Sequence, residues 1–580
     1  MGTVPRVIRR RQGSGEVLAG LHPLLARVYH NRGLNSGAEL DLALKHLLPP
    51  ASLTHNDTAA SLLADALAAG QRLLVVGDFD ADGATSTALA VSTLRSFGAA
   101  HVDYLVPNRF DYGYGLSPEI VALAAQSQPD IIITVDNGIS SLEGVAAASE
   151  RGIITLVTDH HLAGAQLPLA QVIVNPNQPD CHFASKALAG VGVIFYVMLA
   201  LRAELRRRGW FEAQGIAEPT LGEALDLVAL GTVADVVPLD YNNRILVDAG
   251  LRRIRAGHAR PGIQALLAVA GRPAANAVAS DLGFAIGPRL NAAGRLDDMT
   301  VGIECLLANE PAHAHAIASQ LDQLNRDRRA IEQGMQREAR AMLARLQIDD
   351  SNKPPLALVL YQPDWHQGVI GILASRVKDR LHRPVIVFAN ADEQGDEIKG
   401  SARSIAGIHI RDVLDAVATR HPGLISKFGG HAMAAGLSLP RAQLAAFEQA
   451  LLEEVARHVE AVDLQAVVES DGELMPADFE LEAATLLRFA GPWGQHFPEP
   501  LFDGIFERVS SRIVGHRHLK LVLRPVGCEL LIDAIAFNID PDDWIDTRAE
   551  HLELVYRLDV NEFRGQRSLQ LMVEQINALA

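Results

Sequence analysis

Five carboxylates and two imidazoles stand at the ends of three apolar runs: Gly77-Asp78-Phe79-Asp80-Ala81-Asp82-Gly83, Val135-Asp136-Asn137-Gly138 and Thr158-Asp159-His160-His161. Taken singly, each has an ordinary explanation. An Asp-x-Asp is a solvated loop or a helix cap, Asp-Asn-Gly is a tight turn, and Asp-His-His is a turn with a capping Asp. Taken together, at three strand ends of one sheet, they converge. So many carboxylates share a crevice only if positive charge sits among them, since otherwise like charges keep several protonated. Hard divalent cations supply it. Asp oxygens with imidazole suit Mn²⁺ or Mg²⁺ better than a thiolate-loving metal, and there are enough ligands for two ions.

The elements that must position these groups are legible in the apolar rhythm. Leu73–Val76, Val102–Val106, Ile131–Val135, Ile153–Val157 and Val172–Val174 alternate with Ala/Leu-rich segments. Continuous β-branched runs separated by helices predict a buried parallel sheet with helices on both faces. In such a sheet, ligands bind beyond the carboxyl ends of the strands. The strand order is not readable. A mostly helical stretch follows to about Ala308, then a long connecting helix over 311–350, with a linker at Ser351–Pro355. A second α/β region begins with Leu356–Leu360 and Val385–Phe388. From about Phe502, five closely spaced strand-like runs predict a small β-barrel. The fold class expected is therefore α/β multidomain. Its parts are an N-terminal segment 1–55, a catalytic domain 56–310, the helix 311–350, a substrate-binding domain 351–460 and a barrel 461–580.

Composition narrows the class. The chain of 580 residues is too long for one core, and 48% hydrophobic with 21% charged residues is ordinary globular usage. Cys181, Cys305 and Cys528 are scattered, which argues against a zinc ribbon or a disulfide framework and suits a reducing cytoplasm. Arg9-Arg10-Arg11 is followed by polar residues and not by an apolar segment, so no export signal is expected. Leu188–Leu201 is shorter than the roughly 20 residues of a membrane span and reads as a buried helix. The net charge of −17 disfavours nucleic acid if taken bluntly. Metal-bound carboxylates inflate that figure, however, and basic residues cluster at Arg202–Arg208 and Arg512–Arg524.

The acidic motifs resemble the first three signatures of the DHH phosphoesterase superfamily. Gly231-Thr232-Val233-Ala234-Asp235 resembles the fourth, whose Asp is a metal ligand; composition and periodicity alone would leave Asp235 a helix-end carboxylate. Pro288–Arg295 resembles a block of the RecJ branch. Trp365–Gly371, Gly400–Ser404 and Gly429-Gly430-His431 resemble the DHH-associated domain, and Gly491–Gly494, Phe497–Pro500 and Asn561–Gly565 resemble RecJ C-terminal sequences. Read physically, Gly-rich turns with Ser, Arg and His let backbone N–H groups approach an anion.

The resemblance implies a single-stranded-DNA-specific exonuclease working 5′→3′ and releasing 5′-mononucleotides, in repair and recombination. Two cations, Mn²⁺ or Mg²⁺, would activate water and neutralise the phosphoryl oxygens. Asp78, Asp80, Asp82, Asp136, His160 and Asp235 are the expected ligands, and Asp80, Asp82, Asp136, His160 and Asp235 are the foremost of them. Asp78 is a ligand or an orienting group, as is Asp159, and His161 faces substrate phosphate. Arg289, Ser401 and Arg403 are implied at the terminal phosphate, and Asn291, His366 and His431 are further expected substrate-binding residues. Tyr114, in Asn108–Leu116, is a candidate for base stacking. Arg512, Arg517, Lys520 and Arg524, with His516 and His518, would make the barrel an OB-fold with a cationic face. The glycines at 190 and 192 do not form a full dinucleotide-binding loop, and a nicotinamide cofactor is not expected. Single-stranded DNA-binding protein and a helicase are implied as partners.

Two alternatives stay open at this level. One is a different superfamily phosphoesterase, such as an oligonucleotide nuclease or pyrophosphatase, against which the C-terminal barrel argues. The other is a non-catalytic replication scaffold, against which the full set of motif acids and histidines argues.

Overall fold

The computed structural model describes all residues except 1–5, 14–17, 19, 35, 109–114, 346–354, 393, 460–463, 516, 540–548, 564 and 580. Tyr114, His516 and most of the 351–355 linker fall outside the described residues. The chain divides into two compact units.

The first unit comprises residues 14–326 and 487–499. Its centre is a five-stranded parallel sheet: β1 (Arg72–Val76), β2 (His101–Leu105), β3 (Ile131–Val135), β4 (Ile154–Thr158) and β5 (Val172–Val174). These are the five expected strands, shifted by no more than one residue. Their order is β2-β1-β3-β4-β5, all parallel. The chain goes outward from β1 to β2 and then returns to the other side of β1 at β3. The order therefore reverses between β1 and β3, and a ligand crevice opens at such a switch. Both of those strands end in carboxylates.

Four helices surround the carboxyl ends of these strands or pack on the loops there: α1 (Ala81–Ser96), α2 (Gly190–Arg207), α3 (Leu225–Ala234) and α4 (Gly287–Leu296). α2 is the buried helix expected from Leu188–Leu201. No helix among the described residues is long and apolar enough to cross a membrane. α5 (Pro311–Arg345) is the expected long helix and begins within this unit.

α4 packs on the acidic loop after β1. Asn291 Oδ1 accepts a hydrogen bond from Ala81 N at 2.9 Å. A Cβ placed at Gly294 would collide with Phe79 O, so the helix backbone lies directly on the loop. Only a residue without a side chain permits that approach.

The second unit comprises residues 1–13, 327–486 and 500–580. One sheet holds β6 (Leu358–Tyr361), β7 (Val385–Asn390), β8 (Glu397–Arg403), β9 (Lys427–Gly430) and β10 (Ala434–Pro440), in the order β9-β10-β8-β7-β6. α6 (Ile370–Leu381) packs on it. The barrel is closed: β11 (Phe502–Val514), β12 (His518–Pro525), β13 (Ile532–Ala536), β14 (His551–Phe563) and β15 (Gln566–Leu579) run in the order β11-β12-β13-β15-β14, and β14 pairs back to β11.

The first residues, which carry no motif, join this unit. Val7–Arg10 pairs in parallel with Val467–Ser470, and Arg10 donates to the buried Asp503 carboxylate at 2.6 Å.

The close approach at Gly294 predicts that Gly294→Ala destabilises the first unit by about 1–3 kcal/mol, because helix and loop must part. Denaturant unfolding compared with wild type measures it; an unchanged midpoint would show the contact to be loose.

Candidate metal centre and phosphate-binding strand

The acidic loop is built by local rules before it does any chemistry. Asp80 caps α1: its Oδ1 accepts from Asp82 N at 2.9 Å and Gly83 N at 3.0 Å. Asp136 follows β3 with a left-handed φ of 62°, a conformation Asp tolerates, and its carboxylate is buried. Asn137 ties the two strand ends together, donating to Val76 O at 3.1 Å and Val135 O at 2.9 Å. The cap and turn explanations of these motifs are thus true, and the convergent explanation is true as well.

Three overlapping sets of ligand atoms come together, each within 4.8 Å: Asp78, Asp80 and Asp136; Asp136, His160 and His161; and Asp82, His160 and Asp235. Asp136 and His160 each belong to two sets. His160 Nε2 lies 3.1 Å from Asp136 Oδ1 and 3.4 Å from Asp235 Oδ2. Asp235 reaches the cluster from the C-terminal cap of α3, an element away from the sheet.

Asp159 plays a different part. Its Oδ1 accepts from His160 N at 2.7 Å, His161 N at 3.1 Å and His161 Nδ1 at 2.7 Å, while Oδ2 accepts from Ile139 N at 2.9 Å. It is a fully engaged carboxylate that fixes the two histidines. His161, expected to face substrate phosphate, has a ring nitrogen within 4.8 Å of the ligand atoms of Asp136 and His160.

The electrostatics separate these groups. Burial, and after it the neighbouring aspartates, hold the Asp136 and Asp235 carboxyls well above the ordinary carboxylate range. Burial and Asp80 push Asp82 up to about 7, although Gly190 N at 2.6 Å and Val191 N at 3.0 Å donate to it. Burial opposes the charge on Asp159 too, but the His161 hydrogen bond and the two imidazoles outweigh it and keep that carboxyl low. His161 is raised in turn: burial disfavours its charge, yet Asp159 and the surrounding acids prevail. The donor set of crowded carboxylates with imidazole fits hard divalent cations.

Gly190 and Val191 are the functional residues that sequence reasoning passes over. They form the N-terminus of α2, whose amides hold both Asp82 oxygens. A Cβ at Gly190 would stand 2.6 Å from Asp136 Oδ1. Their signal is the Gly-Val-Gly start of an apolar helix, which suggests a weak dinucleotide loop more readily than a cradle for a carboxylate.

Arg289, expected at the terminal phosphate, is buried, and its guanidinium donates to Asp322 Oδ1 at 2.9 Å and to Ala285 O at 2.6 Å. Asn291 anchors the acidic loop. The Arg202–Arg208 cluster is not a free basic patch. Arg202 and Arg206 pair with Glu218, Arg207 and Arg208 with Glu204, and Arg208 also with Asp65. Helical (i, i+3) and (i, i+4) spacing supplies Glu204, and more distant segments supply the other acids.

In the second unit, Ser401 and Arg403 share a face of β8, and Arg403 Nη1 donates to Ser401 Oγ at 3.0 Å. A Cβ at Gly371, in the first turn of α6, would lie 2.9 Å from both Ser401 Oγ and Arg403 Nη2. Burial works against the guanidinium charge there, which favours an anionic partner. Ala434 is the register partner of Arg403, and exposed His431 donates its backbone N–H to Ala434 O at 2.8 Å. His366 Nδ1 accepts from Gly368 N at 3.1 Å, closing the turn before α6.

On the barrel, Arg512 and Arg517 are exposed, whereas Lys520 pairs with Asp533 at 3.1 Å and Arg524 with Glu507 at 3.2 Å. The cationic face is therefore partly neutralised.

Comparison with known proteins agrees with this architecture. Residues 72–232 match the N-terminal domain of the DHH family, 355–457 the DHHA1 domain and 470–575 the RecJ OB domain. The single-stranded-DNA-specific exonuclease RecJ of Dickeya dadantii is 56% identical over 577 residues, covering 99% of this chain and 100% of that one. The Escherichia coli protein of the same name is 55% identical, covering 98% of each. Among solved structures, RecJ from Thermus thermophilus in complex with Mn²⁺ superposes with a TM-score of 0.78 at 30% identity, covering 99% of this chain and 80% of that one. Identity of this extent along the whole chain, with a DHH domain, a DHHA1 domain and the matching OB domain, places the protein in the RecJ family.

Proposed function

We propose that this chain is a single-stranded-DNA-specific exonuclease that hydrolyses phosphodiester bonds from the 5′ end and releases 5′-mononucleotides. The observation that carries the proposal is the convergence of Asp78, Asp80, Asp82, Asp136, Asp235 and His160 at the switch point of the parallel sheet. These residues would hold two divalent cations, Mn²⁺ or Mg²⁺, with His161 within reach. Bound there, the cations supply an activated water and neutralise charge on the phosphoryl oxygens.

The protein's own contribution is position. Asp159 fixes His160 and His161 through three hydrogen bonds, the N-terminus of α2 aligns Asp82, and Asn291 holds the loop that carries Asp80. Such supporting contacts set the orientation of ligands and are worth roughly 10–100-fold in metal affinity or activity. In the second unit, Ser401 and Arg403 are proposed to grip a terminal 5′-phosphate, the guanidinium forking onto two oxygens. His366 and His431 border that turn cluster. Arg512, Arg517, Lys520 and Arg524 are proposed to add backbone contacts on the barrel. Arg512 and Arg517 contribute most, because they are exposed while the other two are engaged with acids. We further propose action in DNA repair and recombination in the cytoplasm, where three free cysteines are at home, alongside single-stranded DNA-binding protein and a helicase.

Gel analysis of 5′-labelled and 3′-labelled strands with Mn²⁺ or Mg²⁺ tests the polarity. In the same assay Asp136→Ala should lose at least about a thousandfold in rate while keeping its fold, because it removes a carboxylate shared by two ligand sets. Wild-type turnover would take Asp136 out of the centre. Arg403→Ala should bring rates on 5′-phosphate and 5′-hydroxyl strands together; an unchanged ratio would assign Arg403 to packing.

A pH dependence follows from the crowding. Without metal, a carboxyl such as Asp82, raised to about 7 from its ordinary value near 4, binds a proton more tightly in the folded than in the unfolded state. The fold therefore loses stability as pH rises from about 4 to about 7. Cations bind the deprotonated carboxylates and reverse the loss. The rise in melting temperature on adding Mn²⁺ to chelator-treated protein should accordingly be larger at about pH 8 than at about pH 6. An equal rise at both would show that the acids do not titrate with the metal.

A further inference from the structure

Beside the acidic crevice, the backbone leaves the α-helical path. Residues Leu282–Ile286 form a π-helical turn that leads directly into α4. Turns of this kind insert extra backbone into a helix, displace a side chain from its packing face, and recur at functional sites. Here Leu282, Ala285 and Ile286 are buried, while Phe284 is 80% exposed.

Two glycine contacts seat the backbone of this turn. A Cβ at Gly283 would lie 3.2 Å from Val233 Cγ1, and one at Gly287 would lie 3.3 Å from Ala234 Cβ. Val233 and Ala234 are the last two residues of α3, and Asp235 is its cap. The π-turn is thus seated on the helix end that delivers Asp235 to the metal centre.

The residue after Asp235 is Val236, with a φ of 62° and 62% exposure. A β-branched residue in the left-handed region is strained, and such strain gathers at binding sites. Two exposed apolar side chains, each on an unusual backbone, thus belong to the helix end that carries Asp235 and to the turn packed on it.

A phosphodiester needs the acids and their cations, but it has no use for a phenyl ring. A nucleobase has: it offers a flat face, and base–aromatic stacking tolerates any sequence. We infer that Phe284 is a base-stacking residue that seats one nucleotide of the strand beside the metal centre. This rests on the nuclease function proposed above.

The test uses the full chain, wild type and the variants Phe284→Ala, Phe284→Trp and Phe284→Leu. The substrates are 5′-phosphorylated strands in which a single abasic residue is moved through the first several positions, assayed with Mn²⁺. Wild type should lose roughly tenfold in kcat/KM when the abasic residue reaches the stacking position. Phe284→Ala should be about tenfold weaker on the intact strand and indifferent to the abasic residue there, whereas Phe284→Trp should discriminate as wild type does. Phe284→Leu, with an unchanged melting temperature, should behave like Phe284→Ala and so separates stacking from packing. If Phe284→Ala or Phe284→Leu still suffers the full abasic penalty, the inference is wrong. If wild type cleaves no strand with any metal, the nuclease function fails first and the inference falls with it; strand cleavage without any abasic penalty overturns the inference alone.

Discussion

Mutual repulsion among buried carboxylates is the constraint on which the rest of the first unit depends. Six aspartates from three strand ends and one helix cap meet, four of them buried and Asp80 and Asp235 partly so, and an unpaired buried carboxylate is costly. The fold manages them unequally. Asp159 is satisfied outright by amides and His161, and Asp82 is partly satisfied by the α2 N-terminus. Asp136 and Asp235 are left with carboxyls pushed well upward. The last state is unfavourable for an apoprotein and suited to one whose cations complete it, so the instability of the site is part of its affinity.

Holding such a cluster open requires backbone contacts that side chains cannot supply. Gly294 lets α4 rest on Phe79, Asn291 pins the start of α1, Asn137 bolts β1 to β3, and Gly190 lets a helix N-terminus reach two aspartates at once. None of these residues needs to touch a metal or substrate. Each fixes part of the backbone that carries the clustered aspartates.

Charge elsewhere is arranged to avoid competition. The arginines at 202–208 are matched by Glu204, Glu218 and Asp65, and Arg289 by Asp322. Local clustering of basic residues in a chain of net charge −17 is therefore a poor guide to where a polyanion binds. Arg403 is the informative cation, because burial opposes its charge and a hydroxyl, not a carboxylate, accompanies it on β8.

The sequence by itself determined the catalytic sheet and its acids. β-branched runs are buried on both faces and so announce themselves, and a carboxylate that ends such a run has one direction in which to point. The closed barrel was legible for a similar reason, from the spacing of short strands with polar turns. What the tertiary structure decided was every partnership across distance. The order β2-β1-β3-β4-β5, which creates the switch point, depends on which strand edges pair, and periodicity does not encode that. Asp235 joins the cluster because α3 packs over α1; in the sequence it is a helix-end acid until resemblance singles it out. Asp159 as the fixed orienting group, Gly190 at the helix N-terminus that holds a carboxylate, and Arg289 as Asp322's partner arise the same way. Hydrogen-bond and ion-pair choice is settled by a few ångströms of three-dimensional proximity, while burial and alternation are settled by neighbours along the chain.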